Sequence, residues 1–265
     1  MRSDFEDSTI RSKQLRAATR KSWLVYLLAL LTCFVAGLIV YQFDVQIANW
    51  LRRVGELPGD ARRVLALSEL VAHGTGILII LSFIWCISPH LRLHLPRVAA
   101  CGFMAGLIAN AVKLLHARIR PAFCSHKIDT AAESWEGWWP TWDPAAVTQY
   151  DYAMQSFPSA HTATAFGFAI GMSWLYPRGR YLFWVMAMLA GLQRAVSLAH
   201  WPSDVLFGAS LGILLGACFV LPGTIGNAIF NWLEWRFGMR RDLKPLSIPI
   251  ETSQTQDEQP QRHVA

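Results

Sequence analysis

Six apolar runs alternate with polar segments along this 265-residue chain. They are Trp23–Tyr41, Leu67–Ile87, Val98–Leu115, Ser159–Tyr176, Tyr181–Leu198 and Val205–Leu221. A hydrocarbon core about 30 Å thick takes about 20 residues of helix to cross, and in lipid each backbone N–H and C=O must be satisfied within the segment. The pattern therefore predicts an all-α fold, a six-helix transmembrane bundle. Between the first two runs, Val45, Ile47, Trp50, Leu51 and Val54 recur at near-helical spacing among arginines. That predicts a short amphipathic helix, either lying in the outer interface or simply connecting two spans. The longest connection, roughly His116 to Gln155, carries Trp135, Trp138, Trp139 and Trp142. Indole rings favour the interface, so these tryptophans are read as anchors or as part of a lid over a head group. Small residues at four-residue spacing, Gly208, Gly212 and Gly216, then Ala163, Gly167 and Gly171, then Gly102 and Gly106, predict close helix packing.

Composition supports the membrane reading, since 53% hydrophobic against 16% charged residues is too apolar for an ordinary soluble domain of this length. The first run exceeds the apolar region of a signal peptide and has no small-x-small pattern after it, so it is expected to be retained. Lys and Arg are preferentially kept on the cytoplasmic side. That rule places inside the arm with Arg11, Lys13, Arg16, Arg20 and Lys21, the Arg92/Arg97 and Arg178/Arg180 connections, and a tail with Arg240 and Arg241. Arg52, Arg53, Arg62 and Arg63 then fall outside and oppose the trend. The organisation expected is a cytoplasmic arm (1–22), a six-span domain (23–222), an interfacial amphipathic segment (223–243) and a polar, disordered tail (244–265). The net charge of +6 is spread over loops, which suits topology and anionic lipid and gives no reason to expect a nucleic-acid partner. Four of the five cysteines, Cys33, Cys86, Cys101 and Cys218, lie in apolar runs and Cys124 in an outer loop, with no disulfide framework or zinc spacing.

Charged and polar residues at the run ends form three clusters. Ionisable groups at hydrocarbon boundaries are costly, so such a recurrence suggests a functional site. Lys113 and Arg120, seven apart, are expected on nearly one helical face at the outer end of the third run, with Pro121 ending the helix. His116 shares that face and is read as a satisfied interface residue. In Pro158-Ser159-Ala160-His161, proline suits the first turn of a helix, and a helix start is a ready anion site. Ser159 offers a phosphate donor and His161 reaches the same region. In the third cluster Arg194 ends a helix and adds a bidentate donor, while Trp201-Pro202-Ser203-Asp204 looks like a helix start. A carboxylate within reach of His200 would fix its tautomer and make it a plausible nucleophile. With alternating spans, all three clusters fall on one side of the membrane.

Together, Lys113-x6-Arg120-Pro121, Pro158-Ser159-Ala160-His161 and Arg194-x5-His200-x3-Asp204 resemble the motifs of the type 2 phosphatidic acid phosphatase (PAP2) superfamily. That superfamily also includes bacterial acid phosphatases and vanadium haloperoxidases. The resemblance covers about Lys113 to Asp204 and implies a membrane lipid phosphate phosphatase, in the bacterial inner membrane, with its site at the outer membrane–water interface. It implies phosphate binding by Lys113, Arg120, Ser159, Ala160 and Arg194, with His161 as general acid, His200 as nucleophile and Asp204 in support. No metal or other cofactor is expected, because the cations supply the charge a metal would bring. The expected partner is a lipid such as undecaprenyl diphosphate, phosphatidylglycerophosphate, phosphatidate or a lipid A phosphate. Alternatives are a vanadate-dependent oxidase of the same superfamily and a non-hydrolytic lipid or anion transporter. Ala160 stands where glycine is usual and Gln193 where serine often precedes the arginine. The first narrows the phosphate space by a methyl, and the second leaves the charged donor intact.

Overall fold

The computed structural model describes residues 2–55, 57–124, 128–140 and 151–237, with side chains from residue 22 onward. The side chains of the basic arm, Trp142, and everything past residue 237, including the 244–265 tail, therefore lie outside the described residues. Helix α1 (Arg2–Tyr41) continues through the arm into the first apolar run. Its exposed face is Leu24, Leu28, Leu31, Val35, Leu38 and Ile39, a surface suited to lipid. The connecting helix α2 (Asp44–Val54) forms as expected, burying Val45 and Ala48. Helix α3 (Gly59–Ser68) and α4 (Gly74–Ile87) then share the second run, separated by a short 3-10 turn, Glu69–Val71.

The third run becomes α5 (Leu95–Lys113), the fourth α6 (Ala160–Leu175), the fifth α7 (Arg180–Val196) and the sixth α8 (Pro202–Val220), followed by α9 (Ile225–Arg236). Among the described residues, Ser22–Tyr41, Pro89–Lys113 and Pro202–Arg236 are long and apolar enough to cross a membrane. A fourth crossing is added if the pair Gly59–Val71 and Gly74–Ile87, bent by 73°, counts as one. Of the six crossings expected, three or four of the described helices meet the length and composition of a span. Helices α6 and α7 have only 16 and 17 residues. The physical reason is visible in α6, where nearly every side chain from Thr162 to Met172 is buried against protein. Its apolarity is that of a core helix, whose length is set by packing rather than by lipid.

Helix α6 is the hub, packed against α5, α7 and α8, with α1 laid along α8. The small-residue pattern is what lets the backbones approach. A Cβ on Gly167 would stand 2.2 Å from the Cys101 carbonyl oxygen, and one on Gly208 2.5 Å from that of Ser159, so both contacts exclude any side chain. Between α5 and α6 the chain forms a two-stranded antiparallel hairpin, β1 (His116–Arg118) with β2 (Trp135–Trp138), irregular between Ala117 and Arg118. Strands this short show no legible alternation in the sequence.

Two arginines counted as topology markers have structural work instead. Arg97 is buried, paired with Glu234 at 2.8 Å, donating to Asn227 and Asn231, and lying 4.7 Å from the Trp174 ring; it docks α9 onto the bundle. Arg52 donates to the carbonyls of Pro121 and Cys124, tying α2 to the outer connection. Cys124 packs there with Val45, Ala48 and Trp201.

Candidate active site

The start of α8 is set by Pro202, with the Asp204 carboxylate accepting the Trp201 N–H at 3.1 Å, as the helix-start reading requires. Immediately before it, the N–H groups of Ala199 and His200 close onto the Arg194 carbonyl, each at 3.1 Å, so the end of α7 and the start of α8 present Arg194 and His200 together. His200 is 1% exposed. Its Nδ1 is 2.6 Å from the Ser156 carbonyl oxygen, which can only accept, so the proton sits on Nδ1 and the lone pair on Nε2. Nε2 lies 3.5 Å from Arg120 Nη1. Burial first, and then the nearby charges of Lys113, Arg120 and Arg194, hold the imidazole well below its ordinary pKa. The result is a neutral ring whose Nε2 lone pair faces cations, Arg120 first among them.

Asp204 does not hold His200 directly. Its Oδ2 is 4.0 Å from Nδ1, beyond hydrogen-bond reach. That oxygen accepts the Ser156 hydroxyl at 2.5 Å, and Oδ1 is paired with Arg118. Ser156 is therefore the link between the carboxylate and the imidazole, offering its hydroxyl to one and its carbonyl to the other.

Arg120 is not on the helical face that its spacing from Lys113 suggests. Helix α5 ends at Lys113 and the chain leaves through β1, because the buried Arg118 draws it into the hairpin. Arg120 still reaches the site, fixed by Tyr152 O at 2.9 Å, the Tyr152 hydroxyl at 3.0 Å, Ala199 O at 3.0 Å and Gln155 O at 3.1 Å, with the Tyr152 ring 3.7 Å away. So many acceptors leave the guanidinium little freedom. The Phe157–Pro158 peptide is cis and α6 starts only at Ala160, with Ser159 as N-cap rather than Pro158 in the first turn. The Ser159 oxygen accepts from Thr162 N at 3.4 Å and Thr162 Oγ1 at 2.9 Å. His161 follows in that first turn, within electrostatic reach of Arg194, His73, Lys113 and Arg120. All eight residues named from the sequence thus gather at one end of the bundle.

Residues 96–224, which contain all eight, match the PAP2 superfamily. This part of the chain belongs to that superfamily. Similar proteins include the lipid A 1-phosphatases of Rhizobium johnstonii (33% identity over 108 residues, 41% of this chain and 39% of that protein) and of Porphyromonas gingivalis (43% over 68 residues, 24% and 15%). The chain thus aligns with well under half the length of either. Among solved structures, LpxE of Aquifex aeolicus is similar with 19% identity and a TM-score of 0.46, covering 66% of this chain and 90% of that one. The first transmembrane PAP2 type phosphatidylglycerolphosphate phosphatase from Bacillus subtilis is similar with 16% identity and the same TM-score of 0.46, covering 83% and 98%.

Three further site residues come from before the PAP2 stretch. Glu69 pairs with Arg194 at 3.2 Å, and His73 stands edge-on to His161 with ring centroids 4.5 Å apart. Both sit at the break between α3 and α4, which turns them toward the site. A carboxylate and an imidazole inside an expected span were a readable signal, by the same rule that flagged the three clusters. The third is Asp44 at the start of α2, 0% exposed, with Oδ2 2.7 Å from Arg118 Nη2. Burial pushes its carboxyl pKa up, while Arg118 and Ser203 pull the other way. Neither Asp44 nor Arg118 stands out in the sequence, since each looks like a surface charge in a connection.

Proposed function

We propose that this protein is an integral-membrane phosphatase that removes the terminal phosphate of a lipid phosphate or diphosphate, through a phosphohistidine on His200. The observation that carries this reading is the state of His200: buried, Nδ1 given to the Ser156 carbonyl, and Nε2 beside Arg120. Nε2 attacks phosphorus while the bond from phosphorus to the leaving oxygen breaks, and His161 gives that oxygen its proton. Lys113, Arg120 and Arg194, aided by Ser159 and the start of α6 at Ala160, stabilise the charge spreading over the phosphoryl oxygens. A water deprotonated by His161 then cleaves the N–P bond and restores both histidines.

Support for a lipid substrate comes from the apolar outer face of α1 and from relatives named lipid A 1-phosphatases. Undecaprenyl diphosphate, phosphatidylglycerophosphate, phosphatidate and lipid A phosphates are the candidates. Six crossings, a cytoplasmic arm and a site at the outer face of the bacterial inner membrane belong to the same proposal. So does metal independence, since three cations supply the charge; activity should survive chelators and be blocked by vanadate.

The test is phosphate release from a panel of purified lipid phosphates, together with trapping of an acid-labile phosphoenzyme. His200→Ala should abolish both. His161→Ala should slow turnover and let phosphoenzyme accumulate with a substrate whose leaving group is good. Phosphoenzyme formed normally by His200→Ala would move the nucleophile elsewhere.

A further inference from the structure

His200 is oriented by a backbone carbonyl, so whatever holds Ser156 holds the nucleophile. Ser156 is gripped three times: its N–H donates to the Arg118 carbonyl at 3.0 Å, its hydroxyl donates to Asp204, and its carbonyl accepts from His200. Two of these three grips lead to Arg118, because the Arg118 guanidinium also fixes Asp204. That guanidinium is fully buried between the rings of Tyr41, Trp135 and Trp201, at 5.0 to 5.4 Å. It donates to Ser134 at 3.0 Å, to Ser203 at 3.1 Å, to Asp204 and to Asp44. Asp44 in turn accepts the backbone N–H of Ser203 at 3.0 Å, inside the first turn of α8.

We infer that Arg118 and Asp44 are positioning residues for the nucleophile, a buried clamp that acts on His200 through Asp204 and Ser156. It rests on the phosphohistidine reading above. Geometry supplies one reason: a carboxylate tied at Oδ1 keeps Oδ2 turned to Ser156 and Trp201, which aims the carbonyl at Nδ1 and Nε2 at the phosphate site. Charge supplies the other. When Nε2 bonds to phosphorus while Nδ1 keeps its proton, the ring becomes cationic, facing three cations that oppose this. Two carboxylates sharing one guanidinium place compensating negative charge on the ring's far side. Asp44 lies outside the PAP2 stretch, so this half of the clamp is supplied by the chain's own amino-terminal elements.

The experiment uses the full-length protein in mixed micelles, with a lipid phosphate it hydrolyses. Asp44→Asn keeps shape and a hydrogen-bond acceptor and removes one charge. Its kcat should fall roughly tenfold or more, as for other outer-shell partners, and phosphoenzyme formation should slow in step. KM should stay within about twofold, because the phosphate-binding cations are untouched. Arg118→Lys keeps the charge but not the fork, and should show the same split more strongly. Adding Asp44→Asn to Asp204→Asn should cost clearly less than Asp44→Asn alone, since the geometric part of its effect runs through the Asp204 carboxylate and only its share of the charge remains to be lost. Wild-type kcat in folded Asp44→Asn, or full additivity with Asp204→Asn, overturns the clamp. If Asp44→Asn does not fold, Ser203→Ala, which removes one contact each to Arg118 and Asp44, must show the smaller kcat loss at constant KM. Phosphoenzyme in His200→Ala would instead sink the underlying mechanism, whatever the clamp variants do.

Discussion

At the scale of single residues, burial and neighbouring cations make His200 a neutral base, and this has a pH signature. Its pKa lies below the ordinary imidazole value of about 6.5. The nucleophilic form is therefore fully present above that value and is lost only as pH falls through the lower folded value. The acid limb of kcat/KM that reports His200, corrected for the ionisation of the phosphate itself, should be centred below pH 6.5. An acid limb centred at or above pH 6.5 would mean a solvated, unshifted imidazole. The same shift works on stability: below about 6.5 the unfolded chain takes up a proton that the folded protein refuses, so His200 destabilises the fold as pH drops toward its folded pKa. Ser156 illustrates what a motif conceals, since its carbonyl does what the sequence assigns to the Asp204 side chain.

At the scale of elements, helix ends carry the chemistry and helix contacts decide where those ends meet. Gly208→Ala would set a methyl against the Ser159 carbonyl, at the start of α6 where the phosphate is expected. Glu234→Ala, at the other end of the bundle, would leave the buried Arg97 unpaired. The two should separate cleanly. Gly208→Ala should lose most of its activity per folded molecule and also melt at a lower temperature in detergent, because the methyl meets backbone that must shift. Glu234→Ala should lose about 3–5 kcal/mol of stability, the usual cost of breaking a buried pair, while the folded fraction keeps its kcat. Equal losses of activity per folded molecule would break the division between scaffold and site.

At the scale of the whole molecule, the clusters at the ends of α5, α6, α7 and α8 lie on one side of the bundle, and the arginine distribution expects that side to be external. Cysteine at the exposed Ala132 should react with a membrane-impermeant thiol reagent in intact cells, and cysteine at Gly179 should not, in a chain lacking Cys86 and Cys124. The reverse pattern would place the site in the cytoplasm. The six apolar runs became helices much where expected, yet two of them are too short to be recognised as crossings by length. Apolarity along a chain reports burial, and does not say whether lipid or protein does the burying.

The sequence by itself determined the helical class, the helix ends that carry charge, and the eight residues proposed for the site, because periodicity, caps and expensive ionisable groups are local signals. It did not reveal the hairpin, the break that delivers Glu69 and His73, or the Asp44–Arg118 clamp. Those rest on partners far apart in the chain: residue 44 meets residues 118 and 203, and residue 69 meets residue 194. A buried charge reads as an exposed one until the fold closes over it, and only tertiary structure decides which carboxylate that charge meets.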